Sequence, residues 1–303
     1  MEKRQLSRDY SRAVLLAAIA AALFACSTPL SKALLLSVPP VLLAGFLYLG
    51  AGAGACAVLV IGRGSTGKQA IQMFQRIDAP FVIGMILLDV LAPILLMLGL
   101  RRSPASSASL INNFEIVATA LFALLLFRES ISRRLWIAIA LITGASCLLT
   151  FDIGEKLVFS GGSVLVLLAA VCWGLENNCT RMLAQRNPIL IVAVKGFGSG
   201  ACALTIGLLA GERLSGCSSA LIAMLVGCLT YGASIACYIR AQRTLGAART
   251  SAYYAVAPFI GSALSFLFLG ERPNSPFFFA LLLMLAGVCF ATFDQSIMHR
   301  KVI

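Results

Sequence analysis

Charge is what this chain has least of. Asp, Glu, Lys and Arg make up 12% of its 303 residues, where soluble domains hold about a quarter. Histidine occurs once, as His299 in the tail. The ten cysteines form no close CxxC pair and nearly all lie inside apolar runs. These shortages argue against a metal centre and a disulfide framework, and leave the cysteines as small apolar packers. There is no Walker-type nucleotide loop, which argues against direct ATP drive. Neither a serine nucleophile motif nor a convergent His/Cys set offers an enzyme site. The net charge of +12 is not gathered into a basic stripe with interleaved aromatics, so no nucleic-acid partner is expected. No cofactor is expected either.

What the chain does have is apolar length. Hydrophobic residues make up 60% of it, and its mean hydropathy is +0.94. A helix needs about 20 apolar residues to cross about 30 Å of hydrocarbon. Such runs occur at 13–35, 40–61, 80–100, 104–127, 134–151, 163–184, 188–210, 218–239, 247–270 and 275–293. They predict an all-α membrane protein of ten transmembrane helices. The first run exceeds the apolar core of a signal peptide and reads as a retained helix. The longest connection, "GRGSTGKQAIQMFQRIDA" from Gly62, has room for a short surface helix. Of the 24 basic residues, 17 fall on the side of the N-terminus and five on the other, with Lys32 and Lys195 inside spans. That bias predicts both termini in the cytoplasm, and hence a multi-pass protein of the cytoplasmic (inner) membrane.

The two halves resemble each other. "LFACSTPLSKALLLSVPP" from Leu23 aligns without gaps with "CWGLENNCTRMLAQRNPI" from Cys172, pairing Phe24 with Trp173, Lys32 with Arg181 and Pro39 with Pro188. "SLINNFEIVATALFALLLFRE" aligns with "SAYYAVAPFIGSALSFLFLGE", so Glu129 matches Glu271. The predicted units are 1–152 and 153–303, each of five spans. Because five is odd, the second unit must be inverted in the membrane relative to the first. Inverted repeats are a transporter architecture whose site lies near the bilayer midplane, where the halves meet.

These stretches, with the helix ends "FRES" and "LGER", resemble the EamA family of the drug/metabolite transporter superfamily over essentially the whole chain. The resemblance implies ten helices in two EamA repeats, and transport of amino acids, other metabolites or drugs. One local departure stands out: where the second repeat has Pro258, the first has Ile116 preceded by Glu115.

The candidate site follows from polar residues in oil. Glu115 is the twelfth residue of its span, near the bilayer centre, where a carboxylate is costly and is a functional candidate by default. Asn112 precedes it by one turn on the same face, and Asn113 is displaced by about 100°. Asp89 is also near mid-depth, and Pro93 four residues later cannot donate to its carbonyl. In "WGLENNCTR", Trp173 and Glu176 share a face with Asn177 beside them, offering a stacking surface and polar groups; pairing of Glu176 with Arg181 is the alternative. Lys195 lies roughly 10 Å inside its helix, close enough to snorkel and also able to pair with Asp89 or Glu115. Tyr231 and Tyr254 read as packing or binding residues. Pro29, Pro93 and Pro258 are candidate hinges, and Glu129 and Glu271 are expected to organise helix ends or gates.

Together these readings predict a secondary transporter of small metabolites working by alternating access, with amino acids or related compounds as substrates. Protons are the plausible coupling ion, and export is favoured by analogy. A lipid or polyprenol carrier, a multidrug efflux protein and a non-transporting intramembrane enzyme subunit are the alternatives. The expected partners are a small-molecule substrate and membrane lipids around a monomer.

Overall fold

A computed structural model describes residues 2–63, 74–128, 131–153, 157–183, 186–214, 216–245, 250 and 253–298. Its helices are α1 (Glu2–Ala25), α2 (Ser27–Leu34), α3 (Pro40–Arg63), α4 (Ala79–Arg102), α5 (Ala105–Ile111), α6 (Phe114–Phe127) and α7 (Arg133–Thr150). A two-stranded antiparallel ribbon, β1 (Phe151–Ile153) with β2 (Leu157–Phe159), leads into the second half. There follow α8 (Gly161–Met182), α9 (Pro188–Leu209), α10 (Cys217–Gly227), α11 (Ser234–Leu245), α12 (Ala257–Leu269) and α13 (Ser275–Met298).

This is a helical membrane protein. Among the described residues, eight helical stretches are long and apolar enough to cross a bilayer, and Ala257–Leu269 and Ser275–Ala291 are shorter apolar helices. Backbone groups in oil must bond within their own segment, so apolar runs of this length become helices. Large side chains such as Leu125, Leu209, Leu267 and Phe268 point outward, where lipid covers them. The expected surface helix after Gly62 falls largely outside the described residues; only a single 3₁₀ turn, Arg76–Asp78, precedes α4.

Four predicted spans differ in detail from uninterrupted helices. The first is interrupted at Cys26, three residues before Pro29. Pro29 has no N–H to give the Ala25 carbonyl, and Gly261 of α12 packs against that carbonyl. The fourth breaks at Asn112–Asn113, where Asn113, Glu115 and Ile116 donate to residues three back in place of four. The eighth passes through a π-helical turn, Cys228–Ala233, between α10 and α11. The described part of the ninth starts anew at Ala257, after a turn at Ala255–Val256, and Pro258 sits in its first turn, where a missing N–H costs nothing. By contrast α4 runs through Pro93 without interruption, so the expected hinge there is not a break. One lost backbone bond is tolerated because α8 packs along the helix.

The helices pair as α3 with α9, α4 with α8, α1 with α11, α7 with α13, and α5 with α12. In a bilayer, close contact between small residues replaces the hydrophobic effect as the packing force. Gly196 lies against the backbone of Gly52, Gly99 against Gly162, and Gly50 against that of Met224. Gly227 meets the Leu47 carbonyl so closely that a Cβ there would collide with backbone. Gly227→Ala should therefore cost about 1–3 kcal/mol by overpacking. It should lower the thermal midpoint of the purified protein, and an unchanged midpoint would contradict this crossing. The helix ends also match: Arg128 after α6 (φ 53°) and Gly270 after α12 (φ 64°) both adopt the left-handed conformation, the usual way to close a helix C-terminus.

Candidate functional site

Four of the long helices bring polar side chains to one place in the bundle interior. Lys195 of α9 lies between two carboxylates, with Nζ 2.9 Å from Asp89 Oδ2 on α4 and 3.2 Å from Glu176 Oε1 on α8. The Asp89 side chain has no exposed surface and that of Glu176 only 3%, while Lys195 keeps 19%. An ammonium held this way is a counter-ion for two buried carboxylates rather than a snorkelling chain. Thr180, one turn after Glu176, donates its hydroxyl to the same Oε1.

Asp89 has a second donor. Tyr48 of α3 donates its hydroxyl to Oδ1 at 2.9 Å, and Trp173 Nε1 donates to the Tyr48 oxygen at 3.3 Å. The candidates Trp173 and Asp89 are thus joined through a residue that sequence reasoning missed. Its only signal was a single phenol in the otherwise apolar "GFLYLG".

Glu115 belongs to the same neighbourhood but has different partners. Asn177 Nδ2 donates to Glu115 Oε1 at 2.6 Å and to Thr119 Oγ1 at 3.3 Å. No ion pair among the described residues reaches Glu115; Lys195 serves Asp89 and Glu176 instead. Asn178, beside Asn177, braces α8 on α6 by donating to the Thr119 carbonyl at 3.1 Å. Asn112 and Asn113 form the break before Glu115, and Asn112 Oδ1 and Asn113 Nδ2 are buried without a hydrogen-bond partner. Glu115, Asn112, Asn177 and Trp173 are each half-buried, unlike the sealed Asp89.

Aromatic rings continue from this cluster. The ring of Tyr231, in the π-helical turn, lies tilted at 5.9 Å from that of Tyr48 and edge-on at 5.7 Å from that of Phe24. Phe24 lies 5.4 Å from Tyr254, which lies 5.1 Å from Tyr238. The Tyr254 hydroxyl is 3.4 Å from Ser234 Oγ, which itself donates to the Ala20 carbonyl. The two tyrosines singled out in the sequence therefore extend one aromatic array. The structure brings together Asp89, Lys195, Glu176 and Trp173 in one network, and Glu115 and Asn177 in an adjoining pair.

Other charged groups tie the halves at the ends of the bundle. Glu271, just after α12, accepts from Ala105 N at 2.6 Å and Ser106 N at 2.9 Å, capping α5. Glu212, after α9, caps α3 by accepting from Val41 N at 3.2 Å and Leu42 N at 2.8 Å. Both place a carboxylate where free amides and the helix dipole favour it. Within the first half, Lys32 donates to the Leu100 and Ser103 carbonyls at the end of α4. At the opposite end, Arg186 Nε and Nη2 bond the Asp78 carboxylate at 2.8 and 3.3 Å. Glu129, paired with Glu271 by the repeat, lies outside the described residues.

Comparison with known proteins bears on this arrangement. The model of the EamA-like transporter family matches residues 11–151 and again residues 160–293. An uncharacterized transporter of Methanothermobacter thermautotrophicus is 26% identical over 279 residues, spanning 88% of this chain and 81% of the relative. A crystal structure of a protein given no activity matches the fold with a TM-score of 0.64 at 19% identity, over 95% of this chain and 99% of the other.

Proposed function

The chain belongs to the EamA-like transporter family, and from that premise we propose that it is a secondary transporter of small metabolites working by alternating access. Its substrates are amino acids or related compounds, carried across the cytoplasmic membrane with export favoured. The observation that carries this reading is the placement of two carboxylates, Asp89 and Glu176, around one ammonium inside apolar helices, with a third, Glu115, held beside them by Asn177. Ionisable side chains inside a bilayer are costly and mark substrate or ion pathways.

Ten spans form two inverted repeats, residues 1–152 and 153–303, with both termini cytoplasmic. The double family match, the paired left-handed helix ends at Arg128 and Gly270, and the crossed helix pairs support that reading. Glu271 and Glu212 at one end and Arg186–Asp78 at the other join one half to the other. Alternating access requires these links to open in turn while the central network persists. Glu115 carries a proton in exchange for substrate, because a buried carboxylate without an ionic partner is neutralised by a proton or a cation, whereas Asp89 already has Lys195.

A screen tests the proposal. Proteoliposomes containing only this protein are offered labelled amino acids and related metabolites, with and without a pH gradient. Saturable flux that responds to the gradient is expected. Chemical conversion of solutes without flux, or no movement of any solute, would defeat the transport reading.

A further inference from the structure

The charge balance at the centre narrows the class of molecule that fits. Lys195 is the sole cation of the described central network, and its ammonium already spans Asp89 and Glu176. It has no free face directed by an ion pair toward Glu115, which is held by the neutral Asn177 amide alone. A substrate carboxylate entering this place would meet three carboxylates and an ammonium already engaged. A substrate ammonium would find the opposite.

The hydrogen-bond inventory points the same way. Asn112 Oδ1, one turn from Glu115, is a buried acceptor with no donor, and a buried unsatisfied group costs about 1–3 kcal/mol. An ammonium brings up to three donors. Asn113, the next residue and 4% exposed, also has an unpartnered atom, Nδ2, so the break before Glu115 holds two unsatisfied amide groups. Glu115 and Asn112 both keep part of their surface accessible, while Asp89 is sealed.

Aromatic faces complete the setting. Trp173 stands one turn before Asn177 on α8 and bonds Tyr48. Tyr48, Tyr231, Phe24 and Tyr254 follow in ring-to-ring contact. Aromatic faces attract cations and stack on apolar rings.

We infer that Glu115 and Asn112 form the recognition point for the protonated amine of the substrate, and that the carrier prefers net-cationic aromatic amines over zwitterionic amino acids and over carboxylates. This deepens the transport reading and rests on it for its physiological meaning, but the binding preference can be measured separately.

The test uses the full chain purified in detergent at neutral pH and three compounds of one skeleton: phenethylamine, phenylalanine and 3-phenylpropionate. Equilibrium dialysis of each labelled compound gives its affinity. Phenethylamine should bind about tenfold or more tighter than phenylalanine, as expected when a charged pair is gained without a repelled carboxylate. No saturable binding of 3-phenylpropionate is expected. Glu115→Gln should weaken phenethylamine by about tenfold or more, and Asn112→Ala should weaken it less, with the thermal midpoint reporting that both variants fold. Equal or tighter binding of phenylalanine or 3-phenylpropionate would overturn the inference. So would undiminished amine binding in folded Glu115→Gln, or binding of none of the three. If the amine binds as expected while no solute crosses the liposome, the transport reading falls and the ammonium site stands. If solutes cross but the carboxylate is the ligand preferred, the reverse holds.

Discussion

Lys195→Met is expected to be the most damaging single substitution in the bundle interior. It removes the ammonium from between Asp89 and Glu176, whose side chains are 0% and 3% exposed. Breaking a buried pair by removing one partner typically costs about 3–5 kcal/mol, because the other charge is left uncompensated. Here two carboxylates lose the same counter-ion. Tyr48 still donates to Asp89 and Thr180 to Glu176, so both acids keep one neutral donor and neither keeps a charge partner. The variant should purify with a sharply lower thermal midpoint, or fail to yield a monodisperse species. Replacing the acids as well should restore much of the loss, since no uncompensated charge is then buried and the Tyr48 and Thr180 hydroxyls can donate to the new amide carbonyls. Lys195→Met with Asp89→Asn and Glu176→Gln is the variant to compare. A single Lys195→Met as stable as the parent, or a triple variant no better than the single, would show that the ion pairs are not what holds α4, α8 and α9 in register.

Glu115→Gln should have the opposite profile, with folding kept and transport lost. The Asn177 amide that donates at 2.6 Å to Glu115 Oε1 can donate equally to the carbonyl of glutamine. No ion pair among the described residues depends on Glu115, so its neutralisation strands no buried cation. What is removed is the ability to alternate between a charged and a protonated state, and to hold a cationic ligand. A hydrogen bond to a charged group is worth about 1.5–3 kcal/mol, equivalent to a loss of about 10- to 150-fold in affinity or turnover. Flux in proteoliposomes should fall by that order and lose its response to a pH gradient, with the thermal midpoint near that of the parent. Parental flux with the parental pH response would remove Glu115 from the mechanism. The contrast between the two substitutions separates the structural carboxylates, Asp89 and Glu176, from the one left available.

How much of this was legible in the sequence depends on whether the information is local. Helix-forming apolar runs are local, because a backbone in oil has no alternative partner. The runs at 40–61, 80–100 and 188–210 accordingly correspond to Pro40–Arg63, Ala79–Arg102 and Pro188–Leu209 within a few residues. The break at Asn112–Asn113 was hidden for a local reason too. Neither residue is a Pro or Gly, and both keep right-handed backbone angles, so nothing in the pattern marks an interruption. The π-helical turn at Cys228–Ala233 has one cue, the glycines at 227 and 232, which are just as common in regular packed spans.

The site shows the same division. Glu115, Asp89, Glu176 and Lys195 stand out as costly residues in oil, so their importance is legible one at a time. Which acid takes the lysine is not legible, because Asp89, Glu176 and Lys195 lie on three different helices and their meeting depends on how α8 and α9 flank α4. Tyr48 escaped notice because a phenol in an apolar helix is ordinary until its hydroxyl is seen donating to Asp89. Glu212 was equally silent. Its role as a cap on α3 exists only once the loop after α9 has been brought to that helix's N-terminus.

The central claim is that substrate occupies the space beside Glu115, and its most direct test is protection of a thiol placed there. In a background with the ten native cysteines replaced by alanine or serine, Asn112→Cys is reconstituted and treated with a membrane-impermeant thiol reagent. Labelling is measured with and without a saturating concentration of a solute that the liposome screen shows to be carried. The account predicts that Cys at 112 reacts from the aqueous phase, and that the carried solute slows its reaction while leaving unaffected a cysteine in place of Leu36, exposed in the turn between α2 and α3. Labelling at 112 that proceeds at the same rate with saturating solute would contradict it, as would a thiol at 112 that never reacts while the protein is transporting.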